Sequence, residues 1–190
     1  MLKKFKKWFN QQFYNKELQL RERYLDIKNH DVEINDTEYF LAKAMIPDIP
    51  EILGIERAVY GGQTPWDDRA FRTELMRKTD RLYLVLRRND WLVAFIGCSL
   101  NDHTKDCHIT NVAVAPNFQN HGLGYFLVTT IIKKARQLEY DKVTLEVRLS
   151  NTRAQKLYRD IGFVDNGIKK DYYFNDREDA LNMVLDITKI

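Results

Sequence analysis

The sequence is short of several things, and each shortage narrows what the protein does. Only two of its 190 residues are cysteines, Cys98 and Cys107. They lack CxxC spacing and read as the reduced thiols of a cytoplasmic protein. The four histidines, His30, His103, His108 and His121, show no metal-ligand spacing, so no metal is expected. No run approaches the roughly 18 apolar residues of a membrane span. The first residues show neither an uninterrupted apolar core nor the small-residue cleavage site of a secretory leader. Internal repeats and low-complexity tracts are absent. The net charge of +3 is too small to demand an anionic partner, and no direct nucleic-acid binding is expected.

What is present fits one globular domain with an appendage. Hydrophobic residues make up 44% and charged residues 30%, and the mean hydropathy is −0.49. Residues 1–28 stand apart. Lys3, Lys4, Lys6 and Lys7 surround Leu2, Phe5, Trp8, Phe9 and Phe13. This pattern suits a basic amphipathic helix lying on a membrane, on RNA or on a partner, and equally an arm packed on its own domain. Residues 15–28 read as a solvated continuation or linker, which leaves the folded domain at 29–190.

Hydrophobic period then predicts the elements. A strand is expected over 38–45, and a helix over 47–59 ended by Gly61 and Gly62. A second helix is expected to open with Thr64 as its cap and Pro65 in its first position. Strands follow over 81–88 and 91–100 around an Asn89-Asp90 turn, then over 107–115 and 142–149. In the last of these, Val143, Leu145 and Val147 share one face, and Thr144, Glu146 and Arg148 the other. Asn151 suits the cap of a short helix carrying Ala154, Leu157, Tyr158 and Ile161, stopped by Gly162, and a hairpin over 169–174 and 181–188 closes the chain. The expected fold is mixed α/β: one central, mostly antiparallel sheet flanked by helices, with one strand–helix–strand crossover through 107–148.

Residues 111–125 organise the rest. The apolar Val112, Ala113 and Val114 meet Pro116. The polar Asn117, Gln119, Asn120 and His121 then lead to Gly122 and Gly124, after which Phe126, Leu127, Ile131, Ala135 and Leu138 recur at helical spacing. A strand, a tight loop and a helix start suit a phosphate cradle, because helix N-termini offer unpaired N–H groups; they also suit an ordinary glycine turn. Taken alone, Glu146 reads as a solvated strand residue, Tyr158 as a core tyrosine and Asn151 as a cap.

Gln119, Gly122 and Gly124 match a QxxGxG signature, and LYRDIGF follows at 157–163. With IERAVYGGQTPW at 55–66, LEVRLSN at 145–151 and KKDYYFNDREDALNMVL at 169–185, the chain resembles the GNAT superfamily of N-acetyltransferases over about residues 38–189. Within it, the chain is similar to the bacterial ribosomal-protein alanine N-acetyltransferases of the RimI type. The resemblance implies a GNAT fold, acetyl-CoA as co-substrate without a metal, and acetyl transfer to a protein N-terminus, the alanine of ribosomal protein S18. A small amine or a lysine is the alternative acceptor, and a catalytically idle acetyl-CoA-fold module the third reading.

By matching position, Gln119, Asn120, His121, Gly122, Leu123, Gly124 and Tyr125 are implied to cradle the pyrophosphate. Val112, Ala113 and Val114 are implied to bond the pantetheine arm like an added strand, and Asn151 to give a further cofactor contact. Glu146 matches the family's general base and Tyr158 its general acid. Trp66, Arg148, Tyr172 and Tyr173 are candidates for the acceptor side, or for packing. One departure is Asn120, where the family often has a basic residue, so phosphate contact here is expected to lean on backbone.

Overall fold

In a computed structural model, residues 19–189 of the chain are described. Residues 1–18 of the expected basic amphipathic extension over 1–28 lie outside them. The elements run α1 (19–24), β1 (His30–Ile34), β2 (Thr37–Lys43), α2 (Ile49–Val59), α3 (Asp68–Met76), β3 (Arg81–Arg88), β4 (Trp91–Asn101), β5 (Asp106–Val114), α4 (Leu123–Gln137), β6 (Lys142–Arg148), α5 (Thr152–Ile161), β7 (Val164–Tyr173) and β8 (Glu178–Asp186). The strands form one sheet ordered β1-β2-β3-β4-β5-β6-β8-β7. Every pair is antiparallel except β5 with β6, the crossover that α4 makes possible.

Strand alternation gives the sheet two cores. Leu82, Leu84 and Leu86 of β3 point to the larger one with Leu123, Leu127 and Ile131 of α4, while Tyr83 and Val85 point to the other with Ile49, Ile52 and Leu53 of α2 and Phe71 of α3. Leu127 and Ile131 are fully buried, and burying a side chain of that size is worth about 1.5–3 kcal/mol. The face of β6 carrying Val143, Leu145 and Val147 joins the larger core. Its opposite face carries the polar Thr144, Glu146 and Arg148 on the side of the sheet that α2 covers farther along. A polar strip is thereby held beside the second core.

A bulge shapes the middle of the sheet. In the β4–β5 ladder Gly97 faces Asn111 and Cys98 faces Ile109, which leaves Thr110 as the extra residue. Before the bulge, Cys107 and Ile109 face the α4 core; after it, Ala113 faces the α2 core. The β5–β6 ladder runs only from Asp106 with Lys142 to Ile109 with Leu145. Beyond that point the two strands part.

Several boundaries differ from the sequence expectation. β1 went unpredicted, although the Asn35-Asp36 pair that joins it to β2 has positive φ at both residues (49° and 58°), as does Asn89-Asp90 between β3 and β4 (49° and 67°). The first strand ends at Lys43 rather than 45, where the Asp48 carboxylate accepts the Met45 N–H at 2.7 Å to start the next turn. Helix α3 begins at Asp68, capped by Asp67, whose carboxylate accepts the Ala70 N–H at 2.8 Å. Thr64 and Pro65 thus precede the helix, and Trp66 is held in the loop with its ring 5.5 Å from Phe71. β7 starts at Val164, earlier than expected.

Residues 19–28, read from the sequence as a solvated continuation or linker, are mostly exposed but anchored to the domain. Leu25 is fully buried in the larger core, and Arg21 bonds Asp102 and the Tyr140 hydroxyl (3.0 Å). An apolar side chain needs cover, and this one finds it in the domain itself.

Candidate active site

Where β5 and β6 part, the backbone of Val112, Ala113 and Val114 still pairs with β4 but no longer pairs with β6. An extended ligand can add there as a strand would. The chain then turns through Pro116–Phe118 into α4, whose N-cap is Gly122 at φ 84°. That backbone conformation favours glycine. A Cβ here would also lie 2.9 Å from Asn35 Nδ2, because Asn35 donates to the His121 carbonyl at 3.1 Å and brings the β1–β2 turn against the loop. Asn120 is left-handed too, at φ 66°. Gly124 is different: a Cβ there would meet Leu157 and Val114 only at ordinary contact distances of 3.6 and 3.9 Å. The absent side chain keeps that approach to the helix N-terminus open. The first turn of α4 carries no acidic residue, so its dipole and free N–H groups face an incoming phosphate unopposed. These residues fit the pantetheine and pyrophosphate of acetyl-CoA.

Other residues of the loop serve the protein's own structure. Gln119 donates from its amide to the Val114 carbonyl at 3.1 Å, and its oxygen accepts from Arg153 at 2.9 Å, so it braces β5 against α5. Leu123 is buried in the larger core, while Tyr125 is half exposed. Asn151 caps α5, accepting the Ala154 N–H at 3.0 Å. Arg153, unremarked in the sequence, sets a guanidinium beside a loop whose Asn120 is uncharged.

Glu146 is not solvated: its side chain is 6% exposed. Strands β5 and β7 bring three partners to it. His108 Nε2 lies 3.1 Å from Oε2, the Lys169 ammonium donates to Oε1, and the Tyr172 hydroxyl donates to Oε2 at 3.2 Å. Burial alone would raise its pKa. The bonds from His108 and Lys169 outweigh burial and hold the carboxyl down at about 2. As it stands, the Glu146 carboxylate holds a primary ammonium, that of Lys169. His108 was considered in the sequence only as a metal ligand. The β5–β6 register, which sets it opposite Thr144 and one step along the same face from Glu146, is the signal that finds it.

Tyr158, on α5, is 5% exposed, with its ring 5.8 Å from Phe163. Burial, and then the nearby Tyr60 and Tyr173, push its phenol well above the usual value. Tyr173 is the shared neighbour, acting electrostatically on Tyr158 and feeling Glu146. Its ring is 5.2 Å from that of Tyr172 and lies under the Arg148 guanidinium at 3.9 Å. Arg148 is also paired with Asp176 at 2.7 Å and Glu178 at 2.6 Å. It anchors the tip of the β7–β8 hairpin, so Tyr172 and Tyr173 are held over β6. The structure therefore gathers Glu146, Arg148, Tyr172 and Tyr173 on the α2 side of the parting strands, with Tyr158 in the larger core on the α4 side. Trp66 stands farther off, packed on the second core.

This geometry agrees with comparisons to known proteins. Residues 49–163 match the Acetyltransferase (GNAT) family. The ribosomal protein bS18-alanine N-acetyltransferase of Haemophilus ducreyi is 34% identical over 145 residues, covering 73% of this chain and 93% of the relative. That of Escherichia coli K12 is 30% identical over 143 residues, covering 74% and 93%. The crystal structure of the ribosomal-protein-S18-alanine N-acetyltransferase from Escherichia coli superposes with a TM-score of 0.69 at 28% identity, covering 78% of this chain and 94% of that one. A match over more than half the chain, relatives aligned almost end to end, and strands that part beside a glycine-capped helix all agree: the protein belongs to the GNAT family of acetyltransferases.

Proposed function

We propose that this N-acetyltransferase uses acetyl-CoA to acetylate the α-amine of a protein N-terminus in the cytoplasm, its acceptor being the N-terminal alanine of ribosomal protein S18. The observation that carries the reading is the Glu146 carboxylate. It is buried beside the parting strands and already holds a primary ammonium, that of Lys169, with the Tyr172 hydroxyl on its second oxygen and the Lys169 nitrogen 5.5 Å from the Tyr172 ring centre. An acceptor's α-ammonium has the same charge and donors and would take the place of Lys169. Names of relatives at 30–34% identity support the ribosomal acceptor.

Acetyl-CoA supplies the activated acetyl group. Val112, Ala113 and Val114 would align the pantetheine arm, and the N–H groups at the start of α4 would hold the pyrophosphate. Glu146 captures and orients the acceptor. Tyr158 stays protonated at any physiological pH and donates to the departing thiolate. No covalent enzyme intermediate is required.

The test is mass spectrometry of ribosomal protein S18 from a strain lacking this protein. The proposal expects a free N-terminal alanine, restored to the acetylated form by the wild-type chain. Full acetylation in the deletion strain refutes the S18 assignment. Transfer in vitro to lysine side chains or polyamines, with none to N-terminal peptides, refutes the α-amine reading.

A further inference from the structure

Glu146 meets its partners on separate oxygens. Lys169 donates to Oε1, while His108 and the Tyr172 hydroxyl lie at Oε2. His108 is itself the middle of a chain: its Nδ1 is 2.9 Å from the Thr144 hydroxyl, which donates to the Asp106 carboxylate at 2.9 Å. A hydroxyl has one proton. Thr144 gives it to a carboxylate oxygen that only accepts, so the Thr144 oxygen must take its bond from the Nδ1–H of His108. This fixes the tautomer. Neutral His108 carries its proton on Nδ1 and presents the Nε2 lone pair to Glu146, 3.1 Å away. Strand register builds the chain, because Asp106 and His108 share one face of β5 before the bulge and stand opposite Lys142 and Thr144 of β6.

Such a chain can carry a proton away. A carboxylate that takes one from an amine must be emptied before the next turnover, and the Glu146 side chain, 6% exposed, has little contact with water. Of its three partners, Lys169 is an ammonium without a lone pair and Tyr172 already donates to Oε2. His108 can accept at Nε2, and its side chain is 29% exposed. We propose that His108 is a positioning residue of the acetyl transfer: it aims Glu146 through Oε2 and takes over, at Nε2, the proton that Glu146 accepts from the acceptor amine. The inference rests on the acetyltransferase reading above, in which the acceptor displaces Lys169 from Oε1. The R–NH3+ group gives one proton to Oε1, and the carboxyl turns about its soft terminal torsion to hand that proton to Nε2. The amine lone pair forms the C–N bond, the C–S bond breaks, and the thiolate takes a proton from the Tyr158 hydroxyl. The second proton on nitrogen leaves to solvent, from which Tyr158 is reprotonated, and the imidazolium releases its own proton to solvent. The net products are the acetylated amine, coenzyme A and one proton. Asp106, through Thr144, favours the imidazolium while it lasts. Around the chain, β6 adds Lys142 opposite Asp106, β4 sets the uncharged Ser99 opposite His108, and β8 sets Val184 and Asn182 opposite Thr144 and Glu146. Arg81 of β3, beyond Ser99, is paired with Glu74 and Asp80.

The test is the pH dependence of kcat at saturating acetyl-CoA and acceptor peptide, for wild type, His108→Gln and His108→Ala. Glutamine keeps an N–H for Glu146 but cannot take up a proton, so a purely structural residue would tolerate it. The proposal expects wild-type kcat to fall between about pH 8 and pH 5.5, the range in which imidazoles change charge. His108→Gln should lose about 10-fold in kcat near pH 7.5 and converge with wild type near pH 5.5, with KM for acetyl-CoA unchanged. Free imidazole should restore His108→Ala in proportion to its unprotonated form. Wild-type activity in His108→Gln across the range, or a deficit equal at every pH and untouched by imidazole, overturns the proposal. So does a wild-type kcat flat between pH 8 and 5.5, a measurement that needs no variant to fold. Wild-type protein that fails on N-terminal peptides but turns over another amine refutes the acceptor reading alone, and His108 is then tested with that amine.

Discussion

Tyr158 and Glu146 are shifted in opposite senses, and each shift is a prediction about one side chain. Burial keeps the Tyr158 hydroxyl protonated, while its ring packs on Phe163. Tyr158→Phe keeps the ring and loses the proton, so kcat should fall about 100-fold with KM for acetyl-CoA within about twofold. Equal loss of cofactor affinity, read by calorimetry, would make Tyr158 a packing residue. Glu146 is held at about 2 from an ordinary 4.5, with burial opposing and His108 and Lys169 prevailing. A carboxylate depressed in the folded state stabilises it above its unfolded pKa, and that contribution is lost as pH falls from about 4.5 to about 2. Denaturation midpoints of wild type and Glu146→Gln should therefore differ most above pH 5 and converge near pH 2.

At the scale of elements, α1 and the 118–124 loop show how packing decides function. Leu25 fills the larger core at 0% exposure. Leu25→Ala should cost about 2–5 kcal/mol in urea unfolding, and deletion of residues 1–28 should destabilise the domain, contrary to a linker. Gly122→Ala forces a side chain into φ 84° and against Asn35. It should weaken acetyl-CoA binding, measured by calorimetry, while leaving the Glu146 site unchanged.

These elements also mark how far the sequence could be read. The β3–β4 hairpin, the β5–α4–β6 crossover and the capped α5 were legible because alternation, turn residues and caps are local signals. The insertion of β8 between β6 and β7 depends on pairings far apart in sequence. The burial of Leu25 likewise depends on what the fold leaves uncovered. Glu146 and Tyr158 were singled out through a family pattern, whereas the partners of Glu146 arrive from β5 and β7 and needed the register.

For the whole molecule, one sheet carries two cores, and the bulge at Thr110 turns β5 from one to the other as it leaves β6. In the proposed reading the cofactor lies along Val112, Ala113 and Val114 to the start of α4, and the acceptor over Glu146 beside the β7–β8 hairpin. Neither core alone makes the site, which exists because the strands part between them. The central claim is that a primary α-ammonium binds at Glu146 and is acetylated there. Its most direct test is acetyl transfer from acetyl-CoA to a panel of N-terminal alanine peptides, lysine peptides and polyamines, by wild type and Glu146→Gln. The account predicts turnover of the alanine peptides above the rest and about a 100-fold loss of kcat/KM in Glu146→Gln with acetyl-CoA affinity intact. Undiminished turnover in Glu146→Gln would contradict it.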